Sequence, residues 1–79
     1  MAQGPQPGEI WRHYKGGLYR IVCVARDEAG PENRLVVYQA LQEPFEVWVR
    51  PMLEWYKRVP AEPGTIGKTR FMQTGYKLL

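Results

Sequence analysis

His13, Cys23 and the glycine pair Gly16-Gly17 are the positions in this 79-residue chain where catalysis, metal binding or phosphate binding would have to begin. His13 lies in "WRHYKGGLYRI", residues 11–21, among a tryptophan, two tyrosines, a lysine and two arginines. A histidine works as a general base only when a neighbour orients it, and no residue near it in sequence does so. Serine is absent, and histidine, cysteine, aspartate and asparagine occur once each. A serine triad is therefore impossible. A Cys–His pair would have to recruit Cys23 from the apolar run "YRIVCVA", which reads as a buried, inert thiol. Metal ligands usually come in closely spaced pairs, and His13 and Cys23 would need carboxylates from unrelated loops, so neither a metal nor a cofactor is expected.

A phosphate-binding loop requires G-x-x-x-x-G-K-[ST] between a strand and a helix. Gly16-Gly17 joins two strand-like segments instead. The later "GTIGKT", Gly64 to Thr69, has two residues between its glycines and no helical pattern after it. Both read as turn or loop glycines. His13 reads either as a strand residue hydrogen-bonded to its neighbour strand or as a titratable group in a pocket, the first being favoured.

Recognition chemistry is better represented than catalytic chemistry. Trp48 and Arg50 are two apart in "FEVWV" and its continuation, so they share one face of a strand and the guanidinium can lie against the indole. A hairpin between "LVVYQAL" and that strand would bring Tyr38 alongside. Tyr14, Lys15 and Tyr19 flank the first glycine turn. These six residues (Tyr14, Lys15, Tyr19, Tyr38, Trp48 and Arg50) form the candidate binding surface. The alternative is that Trp48 is a core residue and Arg50 pairs with Glu46 or Glu54. Met52, Trp55 and Tyr56, at spacings of three and four, are expected to cap one end of the core.

The elements that must position these residues are short. "EIWRHY" and "LYRIVCVA" read as strands joined by Lys15-Gly16-Gly17, which supplies the positive φ angles of a tight hairpin. "RDEAGPENR" reads as a polar loop, "LVVYQAL" as a strand and "QEPF" as a turn. In "FEVWV", Phe45, Val47 and Val49 face one side, and Glu46, Trp48 and Arg50 the other. Pro51 opens a helical turn over "PMLEWY". "KRV" returns to extended structure, "PAEPGTIG" is a loop, "TRFMQ" a closing strand, and "TGYKLL" its tail or continuation. Residues 1–8, with two prolines, two glycines and two glutamines, are expected to trail as a flexible lead-in to a single domain over 9–79.

About five strands and one helical turn before the last strand point to an all-β fold, a small SH3-like antiparallel barrel. Both alternating sets of the second strand are largely apolar (Ile21, Cys23, Ala25 and Leu18, Val22, Val24), as a strongly bent strand in a closed barrel requires. Net charge is +3, but residues 1–60 carry eight basic and seven acidic side chains, so the excess lies in the tail. Nucleic-acid binding through charge alone is disfavoured. No apolar stretch is long enough for a membrane helix and no signal-peptide pattern opens the chain, so a cytoplasmic protein without membrane contact is expected.

"YKGGLYRIVCVA", "LVVYQAL" and "VWVRPMLEWY", in that order, resemble the small bacterial domain-of-unknown-function family 1653. Its members carry a "H-Y/F-K-G…Y-x-V" hairpin, a "V-V-Y" strand and a "W-V-R-P-x-x-x-F/W" segment. The resemblance covers roughly Gly8 to Val59 and implies an SH3-like barrel, with no activity and no site residues to carry over. From the residues themselves, the expected function is a non-enzymatic module binding a protein or peptide. The rivals are a single-stranded nucleic-acid module, and a small-molecule binder or minor enzyme using His13 with Arg50. Unpaired strand edges and exposed aromatics make a homodimer an expectation too.

Overall fold

A computed structural model describes residues 4–59 and 68–78. The loop "PAEPGTIG", and with it residues 64–67 of "GTIGKT", therefore lie outside the described residues. The chain runs β1 (Glu9–His13), β2 (Leu18–Asp27), β3 (Gly30–Ala40), β4 (Val47–Pro51), α1 (Met52–Trp55), β5 (Arg58–Val59), β6 (Lys68–Thr69) and β7 (Phe71–Lys77). Five of the strands form one antiparallel sheet in the order β4-β3-β2-β1-β7, and β5 pairs with β6 alone. The last long strand thus returns beside the first, giving the expected all-β fold of five antiparallel strands, and the short helix precedes it.

The first hairpin turns as the glycines predict, with one difference. Only Gly16 has a positive φ, 107°, while Gly17 lets its carbonyl accept from the His13 N–H at 2.8 Å. "RDEAGPENR" is not an open loop. β2 continues to Asp27 and β3 starts at Gly30, leaving Glu28 and Ala29 as the turn, with the Ala29 N–H donating to Asp27 Oδ1 at 2.9 Å. Polar residues can extend a hairpin wherever both its faces meet water, so composition concealed these strand ends.

Cys23 is exposed, which corrects the expectation of a buried thiol. The reason is a bulge. Ile21 pairs with Tyr38 and Cys23 with Val37, so Val22 is an extra residue without a partner. Before the bulge Ile21 points into the core, and after it Val24 takes the inward phase opposite buried Val36 while Cys23 turns outward. The two apolar sets of β2 reflect this change of phase.

Of the expected lead-in, Gly4–Gly8 is docked against the sheet. Pro5 is fully buried, the Gly8 N–H donates to Ile21 O at 2.9 Å, and the Leu78 N–H donates to Gly8 O at 2.6 Å. The core is largely aromatic: Trp11, Ile21, Val36, Tyr38, Trp55 and Phe71, with Tyr19 and Met52 packed against it. Trp55 lies flat on Phe71, ring centres 3.8 Å apart and planes 2° apart, and meets Trp11 and Tyr38 edge-on. α1 therefore closes the core with Trp55 and Met52, as their spacing predicts, while Tyr56 remains half-exposed.

Candidate functional site

β4 is the sheet's edge, and its register builds the site. Trp48 stands directly opposite Tyr38 and Arg50 opposite Val36, so both share the face of those buried residues. Val47 and Val49 take the outer face, 56% and 57% exposed. The turn before β4 contains a cis Glu43–Pro44 bond and Phe45 at φ 58°, and Gln39 Nε2 donates to the Phe45 carbonyl at 3.0 Å. It delivers Trp48 to the margin of the core, where 48% of its surface stays in solvent.

His13, Tyr19, Tyr38, Trp48, Arg50 and Phe71 line one open pocket of about 230 Å³. Its deep residues are Tyr38 and Phe71, both buried, with ring centres 5.5 Å apart. Tyr19 meets Tyr38 edge-on at 5.4 Å. Arg50 Nε donates to the Tyr38 hydroxyl at 3.4 Å, and its guanidinium carbon sits 5.9 Å from the centre of the Phe71 ring. The Arg50–Glu54 contact is long, 3.9 Å between Nη1 and Oε1, and both side chains are partly in solvent. Such a pair contributes little and leaves the cation available.

His13 reaches the pocket because β1 pairs with β7, placing it opposite Phe71 with ring centres 5.0 Å apart. Its Nδ1 accepts from the Lys15 N–H at 3.2 Å, which assigns the remaining ring proton of the neutral form to Nε2. Burial lowers its pKa below the ordinary histidine value, and the positive charges of Arg50, Arg70 and Lys15 lower it further. The pocket is thus an aromatic cleft in a positive field.

Four of the six residues singled out in the sequence, Tyr19, Tyr38, Trp48 and Arg50, meet in this pocket. Tyr14 and Lys15 do not line it. Tyr14 packs on His13 at 4.6 Å, its N–H donates to Arg70 O at 2.9 Å, and Lys15 Nζ lies 5.7 Å from the Tyr14 ring centre. Phe71 was missed as a site residue. Its signal was the closing strand: once "TRFMQ" is paired with "EIWRH", the phenylalanine must face the same side as His13. Of the alternative reading, Trp48 is half-exposed and not a buried core residue, while Arg50 does contact Glu54, the second of the two glutamates named.

Elsewhere, among the described residues no three His, Cys, Asp or Glu side chains gather as metal ligands, and no helix is long and apolar enough to cross a membrane. The family model described as "Protein of unknown function (DUF1653)" matches residues 9–73, a span that includes every residue lining the pocket. No curated protein and no solved structure matches the chain.

Proposed function

Because the chain belongs to the DUF1653 family, whose description assigns no activity, we propose from the site alone that the domain is a non-enzymatic binding module for a protein or peptide segment. The observation that carries this reading is the meeting of half-exposed Trp48 with Arg50 over buried Tyr38 and Phe71. An exposed tryptophan beside an arginine, on a rigid aromatic base, is the usual make-up of an interface anchor. The volume of about 230 Å³ also matters. It is below the roughly 300 Å³ at which pockets begin to enclose a small-molecule substrate, and it suits one inserted side chain.

One observation favours a second reading. Arg70 and Lys15 add their charge to that of Arg50 around His13, so a base stacked on Trp48 would find cations for its phosphates. Salt separates the two. Phosphate contacts lose affinity steeply with ionic strength, whereas a mainly apolar peptide anchor does not. The test is to screen tagged protein against peptide and oligonucleotide arrays at low and high salt, then repeat with Trp48→Ala and Arg50→Ala. Peptide ligands that survive high salt and vanish in both variants are expected. Ligands indifferent to both substitutions would remove the proposed surface.

A further inference from the structure

Resting on the peptide-binding reading, we propose that the ligand binds by adding an antiparallel strand to the free edge of β4, seating an aromatic side chain beside Trp48 and an acidic one on Arg50. Among the described residues, β4 pairs with β3 on one side and with no strand on the other. The Ala40 N–H donates to Glu46 O at 2.9 Å, and Tyr38↔Trp48 and Val36↔Arg50 continue that register in steps of two. In an antiparallel ladder, hydrogen-bonded pairs alternate with non-bonded ones. Trp48 and Arg50 therefore spend their backbone groups on β3. Val47 and Val49 direct their N–H and C=O groups to the open edge, where proline at position 51 has no N–H to offer.

An added strand would find two kinds of side-chain position. Residues opposite Trp48 and Arg50 fall on the pocket side, in the non-bonded pairing that brings cross-strand side chains closest. The residue between them pairs with Val49 on the outer face, where Val47 and Val49 are both more than half exposed. Charge selects the chemistry of the pocket-side pair. Among the described residues the one acidic partner of Arg50 is Glu54, at the long distance of 3.9 Å, and Arg70 and Lys15 add to the positive charge there. Because the added strand runs antiparallel, the recognised pattern, read from N to C, is acidic–aliphatic–aromatic in consecutive residues. The main chain supplies adhesion and the alternate side chains supply selectivity, the general logic of strand addition.

The test uses blocked hexapeptides that carry Phe-Val-Glu in both orders, with controls in which lysine replaces the acid. Binding is read by fluorescence polarisation and by amide exchange in the full chain. The Glu-Val-Phe peptides are expected to bind at least about tenfold more tightly than their lysine controls and than the reversed order. They should slow exchange at the Val47 and Val49 amides. Methylating the peptide nitrogen of the central valine should abolish binding, while methylating that of the aromatic or acidic residue should not. This alternation does not depend on any protein variant folding. Val49→Pro, which removes an outward N–H only, should reproduce the loss.

Binding that shifts Trp48 but tolerates methylation at every position would overturn strand addition and leave the binding module intact. Failure of the whole set to bind would overturn both. Protection of Val47 and Val49 that grows with protein concentration without peptide would assign the edge to a second copy of this chain and overturn the proposal.

Discussion

Trp55 has no exposed surface and stacks on Phe71, whereas Trp48, a few residues earlier, leaves half of its surface in water. The two should respond differently to truncation. Trp55→Ala is expected to cost about 3–5 kcal/mol of folding stability, the usual range for emptying a large aromatic site in a core. Trp48→Ala should cost under about 1 kcal/mol of stability. It should nevertheless weaken ligand binding by about 1–2 kcal/mol, as expected of an anchor residue. Denaturant unfolding of both variants checks the first pair of values. Comparable stability losses would mean that Trp48 is a core residue after all.

His13 supplies the pH dependence. Its pKa in the folded protein lies below the unfolded value of 6.5, so the unfolded chain takes up a proton first as pH falls. The stability this site contributes is complete above the unfolded value. It declines between there and the folded pKa, and has been lost below it. His13→Phe should flatten this part of the stability–pH profile, measured by denaturant midpoints on either side of the window. A histidine-dependent rise in stability on acidification would contradict the assigned direction.

At the scale of elements, the strands were legible because β-branched and aromatic runs are interrupted by glycine and proline. Their facing was less so. Period-two alternation correctly grouped Trp48 with Arg50, yet did not say which group met the core, since Val47 and Val49 are the more conventional interior residues. Only pairing with β3 settles it. The bulge at Val22 was hidden for a related reason, because every residue from Ile21 to Ala25 is apolar or small and no polar residue marks the change of phase. Cys23 reports on this bulge directly. In the native protein it should react with a thiol reagent within a few-fold of its rate in denaturant, since it is exposed. Protection by orders of magnitude would mean that the strand runs without the extra residue.

The first hairpin makes a separate prediction. Gly16 at φ 107° has no atom within 4 Å of an added Cβ, so Gly16→Ala should cost only the backbone strain, about 1–2 kcal/mol. That cost should appear in thermal or denaturant unfolding while the fold persists. A neutral substitution would show that the turn has a different backbone.

The residues of the candidate site lie far apart in the chain. His13 comes from β1, Tyr19 from β2, Tyr38 from β3, Trp48 and Arg50 from β4, and Phe71 from β7, so every strand of the five-stranded sheet contributes to one cleft. A linear reading could nominate residues in the first hairpin and on β4 by type. It could not exclude Tyr14 and Lys15 from the pocket or bring in Phe71, because both facts follow from strand pairing. Charge acts at this scale as well. Residues 1–60 are nearly balanced in charge, and the positive charges acting on His13 are those of Arg50, Arg70 and Lys15. Ligand binding should therefore depend on salt only weakly.

The most direct measurement is a ¹⁵N NMR titration that follows the three indole N–H signals of Trp11, Trp48 and Trp55 while peptide and, separately, single-stranded oligonucleotide are added at low and high salt. The account predicts that peptide moves the Trp48 signal at both salt concentrations, with buried Trp11 and Trp55 nearly still. Shifts at Trp48 produced by oligonucleotide alone and erased by salt, or peptide-induced shifts confined to residues away from the pocket, would contradict it.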